Sequence, residues 1–162
     1  MKQAGPFPPD AQLRGGYEFL AVDDRLIRGP QPDLQALQVF KNHGLRTVVN
    51  LREESNMSRK IAIQTGLNYY DFAIPDWTTP YRDQVDEFLQ LCQQKDLCKI
   101  LVHCWGGVGR TGVYVSCYRM KFYQMPVQDA IDLSDLETPH LKMNGLQRDW
   151  LHEHAPHYLK QD

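Results

Sequence analysis

Residues 99–112 read KILVHCWGGVGRTG, and their pattern indicates the class of fold. Its first part, Lys99–Val102, is a short apolar run typical of a buried strand. Three glycines between Cys104 and Arg110 predict a tight loop, and the largely apolar segment Thr111–Gln124 predicts a buried helix. A strand that delivers a glycine-rich loop to the start of a helix is typical of an α/β layer fold.

Strand and helix patterns alternate outward from this segment. We predict a hairpin over Tyr17–Ile27, a helix over Asp33–Asn42, a strand over Thr47–Leu51, a short helix over Ser58–Gln64, a strand over Asn68–Ile74, a helix over Tyr81–Gln94, and amphipathic helices over Val127–Leu136 and Asn144–His154. The predicted fold class is therefore α/β, with a central, mostly parallel sheet flanked by helices.

Length and charge restrict the kind of molecule. The 162 residues fit a single domain, 1–162, in which residues 1–16 form an irregular lead-in rich in proline and glycine. The formal net charge of -2 does not produce the basic field that nucleic-acid binding needs, so any anion site must be local. No apolar run approaches the roughly 18 residues of a membrane span, and the N-terminus lacks the apolar stretch of a signal peptide. We expect a soluble, cytoplasmic protein.

The loop between strand and helix is a predicted site for a phosphate-sized dianion. Glycines let the backbone turn so that its N–H groups point inward, and the helix that begins near Arg110 adds the positive end of its dipole. Cysteines at helix N-termini have pKa values of about 3.5 to 7.5, against about 8.5 for a free thiol. We therefore expect Cys104 to be an ionised nucleophile and Arg110 to grip two phosphoryl oxygens with its planar fork. The substrate-binding residues predicted with them are Trp105, Gly106, Gly107, Val108 and Gly109.

Two neighbours of the loop receive supporting roles. Thr111 can hydrogen-bond Cys104 through its hydroxyl and stabilise the sulfur as a leaving group when a phosphocysteine is hydrolysed. His103 is expected to orient the loop by hydrogen bonds to the backbone, because a thiolate nucleophile needs no general base. The alternative interpretations of such a loop are a tight turn and a nucleotide-binding loop, and the nucleotide-binding motif GxxxxGK(S/T) is absent because no lysine follows the glycines.

The segment His103–Gly112 resembles the HCxxGxGR(S/T)G signature of the protein tyrosine phosphatase superfamily. Chain length and strand order are similar to those of its smaller branch, the dual-specificity phosphatases, and the HCxGGxGR wording resembles that of the cyclin-dependent-kinase-associated phosphatases. The resemblance implies a cysteine-phosphatase fold, a phosphocysteine intermediate on Cys104 and no cofactor. No metal is expected, because Arg110, the loop amides and the helix dipole neutralise phosphoryl charge.

A carboxylic acid must protonate the leaving group, and Asp76 is the candidate. It lies 28 residues before Cys104 in Ile74–Pro80, which resembles the family's acid loop, where an aspartate precedes a Thr-Pro turn. The rivals are Asp71, inside a predicted strand, and Asp83, expected to cap the next helix. Gln147 resembles the glutamine that positions water in some family members, yet we expect a mid-helix glutamine to face solvent.

The four cysteines show no CxxC spacing, which favours a reducing compartment and argues against a structural zinc site. Cys92, Cys98 and Cys117 either resolve an oxidised Cys104 by forming a disulfide or simply fill the core. Arg52 and Arg59 have acidic neighbours that cancel their field, so we do not count them as site residues.

The loop itself brings no lysine, which favours a phosphorylated protein or peptide over a phosphoinositide as substrate. Phosphotyrosine alone and phosphotyrosine together with phosphoserine or phosphothreonine both stay open, because pocket depth decides between them. A non-catalytic phosphate-binding pseudophosphatase is the second class of function, and arsenate reduction or rhodanese-type sulfur transfer a third. The sequence does not reveal the oligomeric state.

Overall fold

The computed structural model describes residues 1–11 and 17–160, which form a six-stranded mixed sheet with helices on both faces. The strands are β1 (Gly5–Pro6), β2 (Leu20–Ala21), β3 (Leu26–Gly29), β4 (Thr47–Arg52), β5 (Asn68–Ile74) and β6 (Ile100–His103). The helices are α1 (Leu34–Asn42), α2 (Met57–Thr65), α3 (Arg82–Cys92), α4 (Gly109–Tyr123), α5 (Val127–Glu137) and α6 (Gly145–Tyr158).

Strand order across the sheet is β1-β2-β3-β6-β4-β5, with β3, β6, β4 and β5 parallel and β1, β2 and β3 antiparallel. Strand β6 is central, and all four of its residues are buried because helices cover both faces. Leu101 joins one core with the residues of α1 and α2, whereas Ile100 and Val102 join the larger core under α3 to α6. The predicted α/β class is confirmed.

Most predicted elements occur where the sequence placed them. Strand β5 has the predicted bounds, and Asp33 caps α1 by accepting a hydrogen bond from the Ala36 N–H at 2.7 Å. Helix α6 continues past the predicted end at His154, because Ala155 and Tyr158 are buried in the core.

The lead-in differs from the prediction. Gly5 and Pro6 pair with β2 as an edge strand, and Phe7 is buried against Phe40. An apolar side chain in this segment therefore ties it to the sheet, which composition did not indicate. Residues 12–16 of the predicted lead-in lie outside the described residues.

Helix α4 is the central helix of the larger core, and every residue from Arg110 to Met120 is buried. Its first residue, Gly109, follows the loop from β6 directly, so the positive end of its dipole faces that loop. Within residues 1–11 and 17–160, no helix has both the length and the apolar character needed to cross a bilayer.

Candidate active site

Cys104 begins the glycine-rich loop at the carboxyl end of β6 and is only 3% exposed. The Gly107 N–H donates to its Sγ at 3.3 Å, which is within reach of a hydrogen bond to sulfur. Gly107 has a φ of 74°, the left-handed conformation that glycine adopts without strain. The loop therefore aims a backbone amide at the predicted nucleophile, as the sequence led us to expect.

Arg110 closes the loop at the other end and is held by contacts from three segments. Its Nη1 donates to Glu54 Oε2 and to the Ile74 carbonyl, both at 2.8 Å, and its Nη2 donates to Glu54 Oε1 at 2.9 Å. Asp76 Oδ1 lies 3.3 Å from Nη2. Burial of the guanidinium opposes its charge, but the hydrogen bonds from Arg110 to Glu54 and the nearby charges of Cys104 and Asp76 outweigh burial and raise the pKa of Arg110.

Glu54 is a site residue that our sequence analysis did not single out. Its bidentate hydrogen bonds from Arg110, opposed in part by burial and helped by Arg52, lower the pKa of the Glu54 carboxyl to about 2. A carboxylate this acidic holds no proton to donate at neutral pH, so Glu54 orients Arg110 and is not the general acid. Glu54 follows β4, which lies next to β6 in the sheet. Because the carboxyl ends of parallel strands meet at one edge of a sheet, this position could have indicated from the sequence that Glu54 belongs to the site.

Asp76 lies in the loop after β5 and is the carboxylate that reaches the cleft with Arg110. Its Oδ1 also accepts a hydrogen bond from the Trp77 N–H at 3.0 Å. The rivals lie elsewhere: Asp71 accepts a hydrogen bond from the Tyr69 hydroxyl, and Asp83 lies within the first turn of α3. Asp83 is not the cap we predicted, because the Gln84 side chain accepts from the Tyr81 N–H at the start of that helix.

The N-terminus of α6 binds the loop that carries Asp76, the predicted acid loop Ile74–Pro80, by hydrogen bonds. Asn144 Nδ2 donates to the Trp77 carbonyl at 2.9 Å, and Gln147 Nε2 donates to the Thr78 carbonyl at 3.2 Å. The expectation that Gln147 faces solvent was wrong: it is 1% exposed, because it belongs to the capping box of α6 and packs against Gly109. Gln147 therefore connects the acid loop to the glycine-rich loop Cys104–Arg110, the predicted phosphate loop.

Aromatic side chains form the walls of the cleft, which has a volume of about 120 Å³. Trp105 and Trp77 are more than half exposed at its rim, and the Tyr17 ring packs edge-to-face on Trp105 with centroids 5.3 Å apart. Among the described residues that line the cleft, Arg110 supplies the only basic side chain. The remaining predicted binding residues Gly106, Val108 and Gly109 line the same cleft.

His103 orients the loop, as predicted. Its Nδ1 lies 2.9 Å from the Cys104 carbonyl, and its Nε2 lies 2.8 Å from the Ser58 hydroxyl. A carbonyl only accepts, so Nδ1 carries the proton, and Nε2 of the neutral ring accepts from Ser58. Burial lowers the pKa of His103 to about 4, although its hydrogen bond to Cys104 acts in the opposite direction.

This buried histidine predicts a stability that depends on pH. Between pH 6.5 and about 4 the unfolded chain binds a proton on His103 that the folded chain does not, so the free energy of unfolding falls by up to about 3 kcal/mol as the pH decreases. We expect the free energy of unfolding of His103→Asn, measured by urea denaturation, to depend less steeply on pH over this range than that of wild type. His152→Asn, at an exposed position on α6, is the control and should keep the wild-type slope. Equal slopes for His103→Asn and wild type would contradict the assignment.

Thr111 does not make the hydrogen bond that the sequence predicted. Its Oγ1 is buried and has no hydrogen-bond partner within residues 1–11 and 17–160, while Cys104 Sγ instead accepts from Gly107. The predicted contact is thus not formed in this conformation. A supporting role of Thr111 in catalysis stays a prediction.

The other cysteines are free thiols and pack in or against the core. Burial raises the pKa of the Cys92 and Cys117 thiols well above that of a free cysteine, and it raises the pKa of Cys98 less. A low fraction of thiolate disfavours disulfide exchange, so these environments favour the core-filling interpretation. Arg52 contacts Glu54 at 2.9 Å and donates to Gln31 Oε1 at 2.7 Å, and Arg59 is exposed.

Residues 13–149 match the family described as "DSP-PTPase phosphatase fused to NAD+ Kinase". The chain belongs to this phosphatase family. It is 36% identical over 92 residues to the dual specificity protein phosphatase CDC14B of Mus musculus, covering 57% of this chain and 19% of that protein. It is 35% identical over 121 residues to CDC14A of Homo sapiens, covering 75% of this chain and 18% of that protein. The chain thus spans about a fifth of the length of these relatives.

Solved structures show the same fold. Tk-PTP in its active form superposes with a TM-score of 0.73 at 23% identity, covering 87% of this chain and 97% of that one. Kinase associated phosphatase (KAP), with its catalytic cysteine replaced by serine, superposes with a TM-score of 0.69 at 19% identity, covering 79% of this chain and 84% of that one. PTPMT1 in complex with PI(5)P superposes with a TM-score of 0.71 at 16% identity, covering 84% of this chain and 93% of that one. Together with the family match, they confirm the predicted place in the small dual-specificity-like branch of the protein tyrosine phosphatase superfamily.

Proposed function

We propose that the chain is a cysteine-dependent protein phosphatase that hydrolyses phosphotyrosine, with phosphoserine and phosphothreonine as further candidate substrates. One observation carries the proposal: Cys104, Arg110 and Asp76 open onto a single cleft lined by loop glycines and aromatic rings. A nucleophile, an anion clamp and a proton donor within one small cleft are the groups that phosphate monoester hydrolysis requires.

The hydrogen bonds of Arg110 leave room for one phosphoryl group. Both Nη1 hydrogens are used by Glu54 and the Ile74 carbonyl, and one Nη2 hydrogen is used by Glu54. The Nε–H and the second Nη2 hydrogen remain, the latter facing Asp76. These two donors form one edge of the guanidinium, so they suit two phosphoryl oxygens. A bound phosphoryl group takes the place of Asp76 beside Nη2 and directs that carboxyl group towards the leaving oxygen.

In the first step, the Cys104 thiolate attacks phosphorus and forms a P–S bond while the P–O bond to the leaving group breaks. Asp76, protonated at this stage, gives its proton to the departing oxygen, so a tyrosine or threonine hydroxyl leaves as a neutral alcohol. The charge on the transferring phosphoryl group is balanced by Arg110, the loop amides and the start of α4.

In the second step, water attacks phosphorus of the phosphocysteine, and the P–S bond breaks to return the thiolate. The Asp76 carboxylate takes the proton from this water, which restores the acid for the next cycle. Gln147 lines the same cleft and is the candidate to orient the water, and Thr111 is the candidate to donate to the departing sulfur. The products are inorganic phosphate and the free hydroxyl.

The walls of the cleft support a phosphoprotein substrate. Trp77 and Trp105 can pack against the ring of a phosphotyrosine or against an extended peptide beside it. A polyphosphorylated headgroup would need several cations, whereas Arg110 is the single basic side chain among the described residues that line the cleft. The relatives named as dual specificity protein phosphatases point to the same substrate class.

The test is a parallel turnover assay with a phosphotyrosine peptide, a phosphothreonine peptide and a phosphoinositide, all in the presence of a chelator. We expect turnover of the phosphotyrosine peptide to exceed that of the phosphoinositide. Faster release of phosphate from the phosphoinositide would replace a protein substrate by a lipid. Phosphopeptide binding without any release of phosphate would make the chain a binding module.

The role of Asp76 gives a prediction that depends on the leaving group. Asp76→Asn removes the proton donor, so kcat for an alkyl phosphate, which has a poor leaving group, should fall by about 10²- to 10⁴-fold. An aryl phosphate whose phenolate leaves without protonation should lose much less. Asp71→Asn is the matched control, because Asp71 lies on the neighbouring strand β5 and bonds Tyr69 instead. Equal losses on both substrates would contradict the assignment.

A further inference from the structure

Arg28 is fully buried at the end of β3, and its guanidinium reaches the phosphate loop. Its Nη2 donates to the Gly107 carbonyl at 2.9 Å, and its Nη1 donates to Ser134 Oγ and Glu137 Oε1, both at 3.0 Å. The register of the sheet explains this reach, because Arg28 pairs with Val102 on β6, just before the loop begins. One side chain thus connects the loop to α5.

The contact with Gly107 sets the direction of a peptide group. In a trans peptide the C=O and the following N–H point in opposite directions. A Gly107 carbonyl held towards Arg28 therefore turns the Val108 N–H away from Arg28, to the interior of the loop. The same pattern occurs earlier, where the Gln31 N–H donates to the Trp105 carbonyl at 2.9 Å. Arg28 and Gln31 thereby bind two carbonyls of the loop, those of Gly107 and Trp105.

Gly107 can take this position only as glycine. A Cβ there would lie 2.6 Å from the Gly29 carbonyl carbon, and the φ of 74° is left-handed. The Gly107 N–H in turn donates to Cys104 Sγ. Movement of the Gly107 carbonyl would therefore change both the amide at the nucleophile and the amide of Val108.

The buried charges around Arg28 do not balance. Arg28 and Arg119 share one carboxylate, Glu137, whose Oε1 accepts from both and whose Oε2 accepts from Arg119 at 2.7 Å. All three side chains are at most 1% exposed. The cluster carries one excess positive charge, and Arg28 is the member that also contacts the loop.

Several charged groups surround Cys104. Arg28 and Arg110 both lie close enough to Cys104 for charge interactions with its sulfur, and the neutral His103 bonds the Cys104 carbonyl. The carboxylates of Glu54 and Asp76 both contact the Arg110 guanidinium. Among the described residues, removal of Arg28 would leave the Arg110 guanidinium beside Cys104, with its charge already opposed by two carboxylates.

We propose that Arg28 is a positioning residue for the phosphate loop, holding the Gly107 carbonyl outward so that the Gly107 and Val108 amides serve the thiolate and the phosphoryl group. The proposal rests on the proposed phosphatase function where it is tested by kcat, but not where it is tested by alkylation of Cys104. Arg119 provides a matched control, because within the described part of the chain its guanidinium bonds the same glutamate and not the loop.

The experiment compares Arg28→Met with Arg119→Met. We expect kcat on an aryl phosphate to fall by about 100-fold in Arg28→Met, since small displacements of positioned groups have effects of this size. In Arg119→Met we expect kcat to fall by less than about 3-fold. The two variants should lose a similar amount of thermal stability. The rate of iodoacetamide alkylation of Cys104 at a fixed pH, followed on its peptide by mass spectrometry, should fall by about 10-fold in Arg28→Met only.

Two further measurements keep the test decisive. If the methionine variants do not fold, Arg28→Lys and Arg119→Lys replace them. These variants keep the positive charge but lose the planar guanidinium group. We expect about a 10-fold loss of kcat in Arg28→Lys alone. If wild type releases no phosphate, the proposed function fails, while alkylation and binding of vanadate still test Arg28. Equal changes in the Arg28 and Arg119 variants would overturn the positioning role.

Discussion

Turnover is expected to stop in Cys104→Ser, with kcat at least about 10⁴-fold below wild type, while the protein still binds phosphate and phosphopeptide. The serine hydroxyl is not ionised at neutral pH, whereas the thiolate is the nucleophile in the proposed first step. The loop amides, Arg110 and the start of α4 are unchanged in this variant. The measurement is single-turnover release of phosphate together with isothermal titration of a phosphopeptide.

Cys98→Ser is the control for the loss of a thiol. Cys98 is half-buried away from the cleft, and its Sγ lies 3.5 Å from the Cys92 carbonyl. We expect Cys98→Ser to keep wild-type turnover. A Cys104→Ser protein that releases phosphate at a near-normal rate would end the phosphocysteine mechanism, and one that also loses phosphopeptide binding would contradict the assignment of binding to the rest of the loop.

Arg110→Lys is expected to lower kcat/KM by about 10³-fold although the positive charge is kept. An ammonium group cannot bond Glu54, the Ile74 carbonyl and two phosphoryl oxygens at once, as the arginine fork does. The loss should be seen both in the rate and in the affinity for vanadate, because the same two donors hold the phosphoryl group in the ground state and in the transition state.

Arg52→Lys is the matched control for this variant. Arg52 contacts Glu54 at 2.9 Å, but it does not line the cleft. We expect a change in kcat/KM of less than about 10-fold, since Arg110 alone still holds Glu54 by two hydrogen bonds. If Arg110→Lys and Arg52→Lys had equal effects, the arginine would serve the local charge and not the geometry of phosphate binding.

Gln147 illustrates where reasoning from local pattern failed. A glutamine in an amphipathic helix normally faces solvent, but here the capping box at Asn144 and the contact with Gly109 draw it into the core. The Gln147 amide contacts the Thr78 carbonyl in the acid loop and Gly109 in the glycine-rich loop. Both partners are distant from Gln147 in the chain, so a local pattern could not indicate its burial.

The sequence by itself determined the parts of the site that are local in the chain. Five residues between Cys104 and Arg110, with glycines where the backbone turns, restrict the loop through covalent geometry and steric freedom alone. Alternating apolar runs were also sufficient to predict the strands and helices on either side, because periodicity records which faces are buried. The place of Asp76 followed from its turn residues and from the family resemblance.

The distant side chains that complete the site are brought there by the folding of the whole chain. Arg110 meets Glu54 across 56 residues, and Arg28 meets Gly107 across 79. These contacts depend on β6 lying between β3 and β4, which brings three strand ends to one edge of the sheet. Strand order arises from the packing of the whole core and not from any local stretch. For that physical reason Glu54 and Arg28 were not predicted, although both hold the groups that the sequence did identify.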